Sequence, residues 1–151
     1  VATSDMTFTN QTIVCVYKHI TASNDGTILG KGAVNRQIRS NRSNLNQISR
    51  YDGTFDTPSS TFASATTTLR MAVWRLPWDG VNDCFRENKT DRGVANTGAA
   101  PSPLNRVGRT SYGQPLDAYV CELCVYNTRV TNSDLDNLYD NYFKPRGVDL
   151  P

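Results

Sequence analysis

Short runs in which apolar and polar residues alternate recur along the chain, set apart by Gly, Pro, Asn and Asp. That spacing is the signature of half-buried strands joined by turns. Residues 6–20 predict one or two strands, with Ile13, Val14, Cys15, Val16 and Tyr17 at their heart. Ser23-Asn24-Asp25-Gly26 predicts a turn, Thr27-Ile28-Leu29 a short strand, and residues 33–49 polar edge strands. Tyr51-Asp52-Gly53 predicts another turn and Pro58-Ser59-Ser60 a loop. Residues 67–75 predict the clearest central strand, with Leu69, Met71 and Val73 on one face by period-two alternation. Trp78-Asp79-Gly80 predicts a turn before Cys84-Phe85-Arg86-Glu87, and residues 91–103 the longest loop. Residues 104–108 and 118–126 predict two further strands.

Only one stretch changes period. Leu135, Leu138, Tyr139 and Tyr142 fall at i, i+3, i+4 and i+7, one apolar stripe of a helix. Ser133 with Asp136 predicts its cap, and Pro145 its end. Many strands and a single late helix predict an all-β fold, an antiparallel β-sandwich with one short C-terminal helix.

Composition narrows this further. The 151 residues are 38% hydrophobic and 20% charged, with Thr, Asn and Ser plentiful. Such a profile suits strands and turns and excludes a coiled coil or helical bundle. The length suits one domain spanning 1–151. Apolar runs are too short to span a bilayer as a helix, so membrane insertion is not expected. A start at Val1 without a signal-like segment suggests a processed or excised piece.

The net charge of +2 gives no reason to expect a nucleic-acid partner. Arg36, Arg39, Arg42 and Arg50 crowd one stretch. They suggest either an anion-binding face or, with more weight, solvated side chains balanced by folded-in Asp. The sequons at Asn10, Asn41 and Asn88 are frequent by chance in so Asn- and Thr-rich a chain. Cys15, Cys84, Cys121 and Cys124 are expected to be reduced thiols, against a competing Cys15–Cys121 disulfide. Cys121 and Cys124 lie in one strand, whose alternation aims them at opposite faces and spoils them as a metal pair.

Catalytic chemistry is sparse. Glu87 and Glu122 are the only glutamates, far apart in sequence, and His19 is the only histidine. Neither a paired-carboxylate motif, a nucleophile elbow nor a phosphate loop is present, so no enzyme is expected. Sugar recognition asks for a flat aromatic to stack on a ring, with Asn, Asp and Arg nearby for its hydroxyls. Trp74, Trp78 and Asp79 lie within six residues of one another, and Tyr51 and Tyr112 add to that set. The alternative role for Trp74 is to cap the core, and for Trp78 to cover a hairpin.

The closing third resembles a laminin-G-like domain of the concanavalin A-like lectin and glucanase jelly rolls. The resemblance rests on Val107-Gly108-Arg109, on Glu122-Leu123-Cys124-Val125-Tyr126-Asn127, on Arg129-Val130, and on residues 133–139 with their Leu138-Tyr139 pair. Val16-Tyr17-Lys18, residues 27–32 and residues 69–85 resemble earlier parts of the same family more loosely. Glu87-Asn88-Lys89 departs from it where the family usually carries Asn-Gly.

The resemblance implies a concanavalin A-like sandwich, here lacking some N-terminal strands. It implies Glu122 as a structural acid. It also leaves Ca²⁺ open as an optional cofactor, with Asp25, Asp79, Asp83 and Asp91 as the available ligands. Two functions fit. The first is a non-enzymatic virion-surface or adhesive module that assembles with other structural proteins as an oligomer, with glycan attachment as a further role. The second is a secreted or cell-surface carbohydrate-binding lectin domain. Both predict a virion or extracellular location.

Overall fold

The computed structural model describes residues 2–6, 10–21, 26–31, 36–40, 48–52, 55–56, 67–76, 85–93, 104–109 and 115–148. Among the described residues, eleven strands form two antiparallel sheets. Strands β1 (Ala2–Met6), β3 (Thr27–Gly30), β4 (Arg36–Arg39), β5 (Ser49–Asp52), β6 (Phe55–Asp56) and β10 (Leu104–Val107) make a six-stranded sheet ordered β1-β10-β3-β4-β5-β6. Strands β2 (Gln11–His19), β7 (Arg70–Leu76), β8 (Phe85–Glu87), β9 (Thr90–Asp91) and β11 (Ala118–Tyr126) make a five-stranded sheet ordered β11-β2-β7-β8-β9. The expected all-β sandwich with a short C-terminal helix is the observed architecture.

Alternation explains how the five-stranded sheet buries both faces. Ile13, Cys15 and Tyr17 of β2 join Ala72, Trp74 and Leu76 of β7 and Phe85 of β8 against Ile28, Leu29, Ile38 and Leu104 of the other sheet. The intervening residues Val14, Val16, Met71 and Val73 face the opposite way and meet Leu135, Tyr139, Phe143 and Val148 of the C-terminal segment. Leu69 packs there too, so the face predicted for Leu69, Met71 and Val73 holds and is the helix-facing one. Each fully buried side chain of this size contributes on the order of 1.5–3 kcal/mol.

Helix α1 (Asn132–Leu138) begins two residues earlier than predicted. Thr131, rather than Ser133, is its N-cap, with its hydroxyl accepting from the Asp134 N–H at 3.2 Å. Pro145 does not stop the segment. The chain continues through a π turn (Tyr139–Phe143) into a 3₁₀ turn (Lys144–Arg146), where Pro145 lies near the start and has no ladder bond to break. Gly147, at φ 81°, ends it in the left-handed conformation that glycine adopts without strain.

The β8–β9 hairpin turns without an Asn-Gly pair. Asn88 itself takes the positive φ, 55°, and locks onto β7: its N–H donates to the Met71 carbonyl (2.7 Å) while its Oδ1 accepts from the Met71 N–H (3.0 Å). Tyr51 and Asp52 were expected in a turn but close β5 instead. Gly26 is tightly packed, since a Cβ there would meet Leu116 Cδ1 at 2.9 Å, Ser40 Oγ at 3.0 Å and Leu116 Cα at 3.2 Å, and the neighbours would have to shift.

Candidate functional site

The residues chosen from the sequence do not converge on one described place. Trp74 is fully buried, and its indole N–H donates to the Ser49 carbonyl at 3.2 Å. No ring can stack on a side chain enclosed in that way, so Trp74 fills the second role weighed for it and closes the core. Trp78, Asp79 and Tyr112 lie outside the described residues, as do Asp25, Asp83, Arg42 and Cys84. Tyr51 is half-buried on β5, and its position proves informative.

Strand register places Tyr51 in a row that crosses the whole six-stranded sheet. Ala2 pairs with Arg106, Arg106 with Gly30, Gly30 with Gln37, Gln37 with Tyr51, and Tyr51 with Phe55. Directly paired residues share a face. The neighbouring row contains Leu29 and Ile38, which enter the core, so Arg106, Gln37 and Tyr51 stand on the face turned away from it. A second row, Thr27–Arg39–Ser49, shares that outer face. Three strand spacings separate Arg106 from Tyr51, about 14 Å at ~4.8 Å per step. Gly30 between them adds no side chain.

This face is polar yet organised. The Thr27 hydroxyl donates to Gln37 Oε1 at 2.9 Å, fixing the amide. Gln37 and Arg39 are only 1% and 3% exposed, so they support the row rather than present it. Arg106 and Tyr51 are half-buried and supply its accessible ends. An aromatic at one end and a guanidinium at the other suit a ligand with an apolar ring face and several hydroxyl or carboxylate oxygens. Arg39 and Arg50, expected as solvated charges, are both about as buried as core residues at 3%. The sequence showed neither burial, because nothing local distinguishes a covered arginine from a bare one.

The carboxylates elsewhere serve structure. Asp91 accepts from Arg75 Nη2 (3.2 Å) and from Asn132 Nδ2 (2.6 Å), and Arg86 lies 3.5 Å from it. Arg86 also donates to Asp136 on α1 at 2.6 Å. The two arginines are almost wholly buried, so these bonds rivet the helix to the β7–β9 edge. Asp91, considered as a calcium ligand, is committed to this network. Glu87 is buried and paired with Arg92 at 2.5 Å. Among the described residues no group of three or more His, Cys, Asp or Glu side chains could hold a metal.

One end of the interior is unexpectedly polar. Tyr17 donates to the Ser40 carbonyl at 2.8 Å, and burial raises its phenol above its ordinary pKa. His19 is 2% exposed and stands edge-on to Tyr17, with the Asp117 backbone beside its ring. Burial, then the positive charge of Arg70, lowers its pKa.

Three of the cysteines, Cys15, Cys121 and Cys124, are free thiols, as expected, and Cys84 is outside the described residues. Cys15 is a buried core residue, its pKa pushed up by desolvation. The register of β11 against β2 slips between Val120 and Glu122, which makes Cys121 the extra residue of a β-bulge. The strict alternation predicted for Cys121 and Cys124 is broken there.

No protein-family model and no curated protein matches the chain. Solved structures do. A Bacteroides ovatus protein described as a candidate carbohydrate-binding protein matches with a TM-score of 0.67 at 12% identity, over 90% of this chain and 42% of its own. Trypanosoma rangeli sialidase, in complex with a difluoro-KDN compound, matches with a TM-score of 0.57 at 10% identity, over 88% of this chain and 23% of its own. The same sialidase with sialic acid gives 0.55 at 14% identity, again over 23% of that chain. The fold is shared. It is a β-sandwich of a kind found in both proteins, and this chain spans less than half of either. Likeness at this identity carries the fold and not the activity.

Proposed function

We propose that the chain is a non-enzymatic carbohydrate-binding β-sandwich module, of laminin-G-like type, that works at an extracellular surface. The observation that carries the reading is the cross-strand row Arg106–Gly30–Gln37–Tyr51 on the face turned away from the core. The match to a candidate carbohydrate-binding protein supports it at the level of fold. Tyr51 is the stacking residue and Arg106 the oxygen-binding one, with Gln37 held between them as a positioning group. Trp78, Asp79 and Tyr112 remain proposed contributors from their residue types alone. Lack of catalysis is part of the proposal, supported by Asp91, Asp136 and Glu87 each being tied to arginine rather than facing one another across a cleft. Glycan recognition is placed ahead of virion assembly, which no observation here favours.

A glycan array tests this. Tyr51→Ala and Arg106→Ala are each expected to weaken retention on the best hit by about tenfold, the range expected for a buried stacking or charge-assisted contact. Near-wild-type melting temperatures would accompany that loss. No retention of the wild type on any glycan, or unchanged retention by both variants, overturns the assignment.

A further inference from the structure

Where the fold covers an arginine, it usually gives that arginine a partner. Arg75 holds Asp91 and Asn132, Arg86 holds Asp136, Arg92 holds Glu87, and Arg129 donates to the Arg75 carbonyl. Arg106 is different. It is half-buried, yet among the described residues its guanidinium takes part in no hydrogen bond or ion pair, and none of its nitrogens is sealed from solvent. Asp5, in the neighbouring strand β1, bonds Lys31 and Asn105 instead. A partly covered charge with no partner gives up hydration without recovering it inside the fold.

The ground beside Arg106 is open and firm. Gly30 pairs with it across β3 and β10 and carries no side chain. Gly108, two residues further along, has nothing within 4 Å of where a Cβ would stand. The backbone there is nonetheless fixed. The Gly108 N–H donates to the Ile28 carbonyl and its own carbonyl accepts from the Leu116 N–H, each at 2.9 Å. Its φ of 77° turns the chain and brings in Arg109, which is exposed and likewise unpaired among the described residues. The two outer rows of this sheet hold no Asp or Glu. Positive charge, free space and a rigid frame therefore coincide at the Arg106 end of the face.

We propose that the ligand of this face is an acidic oligosaccharide, a glycan bearing a sugar carboxylate, and that Arg106 takes that carboxylate. The inference rests on the carbohydrate-binding reading above and names the class of glycan. A planar guanidinium fork matches a planar carboxylate through two parallel bonds, each roughly twice as strong as a bond between neutral groups. A neutral glycan offers the fork only single hydroxyl contacts. Arg109 adds attraction from the exposed turn, of the kind that salt screens. One open fork suits one carboxylate. A polysulfated chain would call for a track of cations, and the other described arginine of the two rows, Arg39, is 3% exposed.

An array holding neutral, carboxylated and sulfated glycans gives the first readout, and the retained glycans are expected to be carboxylated. Methyl esterification of the strongest one removes the charge and keeps the sugars. Its affinity by calorimetry is expected to fall at least about tenfold. Arg106→Gln is expected to lose a similar factor against the free acid and little against the ester. Arg106→Lys, which keeps the charge without the fork, should fall between the two. Preference for neutral or sulfated glycans, an ester bound as tightly as the acid, or equal losses by Arg106→Gln on both overturns this inference and leaves carbohydrate binding standing. Retention of no glycan at all removes both.

Discussion

The two sheets of this molecule obey the same alternation and use it differently. In the five-stranded sheet both sets of alternating positions are apolar, so β2 and β7 are closed between the other sheet and the C-terminal helix. In the six-stranded sheet one set carries Leu29 and Ile38 together with the buried Arg50, and the other reads Thr27, Gln37, Arg39, Ser49, Tyr51 and Arg106. The first sheet spends both faces on stability. The second keeps one face for polar groups whose positions the core holds fixed. That polar face is itself largely covered, with Thr27 0%, Gln37 1%, Arg39 3% and Ser49 0% exposed, while Tyr51 and Arg106 are half-buried.

Phe143→Ala should break the comparison most strongly. Phe143 is 1% exposed and anchors the helical layer on Val14, Val16, Met71 and Val73. Its loss is expected to cost about 3–5 kcal/mol, measured by urea denaturation, whereas Tyr51→Ala, at a half-buried position of the polar face, should cost less, about 1 kcal/mol. Equal losses would mean that the two sheets do not divide stability and recognition in this way.

The second effect is one of pH and belongs to the polar end of the interior. His19 is held neutral by burial and by Arg70, so its folded pKa is below the 6.5 of the unfolded chain. The unfolded state therefore binds the proton more readily, and folding loses stability as pH falls below about 6.5. The contribution is fully present above that value. Melting curves between pH 8 and 5 should show a decline that His19→Gln largely removes. The same slope in both proteins would place the titrating group elsewhere.

The smallest effect concerns the helix start. Thr131→Ala removes the hydroxyl that receives the Asp134 N–H and bonds Asp134 Oδ2 at 2.7 Å. An exposed cap of this kind should cost about 0.5–1 kcal/mol. Ser133→Ala, the cap suggested by the sequence, should be neutral within error in the same denaturation assay.

The sandwich was legible because its central strands declare themselves twice, through alternation and through β-branched residues. β2, β7 and β11 fall where the sequence places them. The helix was legible from its stripe, but its start was not: Thr131 and Ser133 are both hydroxyl caps with an acid three residues on, and only packing chooses between them. Trp74 was ambiguous for a related reason. An aromatic in a strand serves a ligand or a core according to what covers it, and that cover comes from Ser49 and its neighbours, distant in sequence. The row from Arg106 to Tyr51 was hidden more deeply. It unites strands far apart in the chain, and register is a property of pairing that no local window contains. Tyr51 was chosen for its residue type; its partners Gln37 and Arg106 carried no signal beyond being polar in an alternating segment.

The division of labour between the sheets is tested most directly by backbone NMR during titration with the best glycan from the array. Shift changes are expected to centre on Gly30, Gln37, Tyr51 and Arg106, with Val14, Val73, Leu135 and Phe143 unmoved. Changes centred on α1 or on β11, with the Arg106–Tyr51 row silent, would contradict the account.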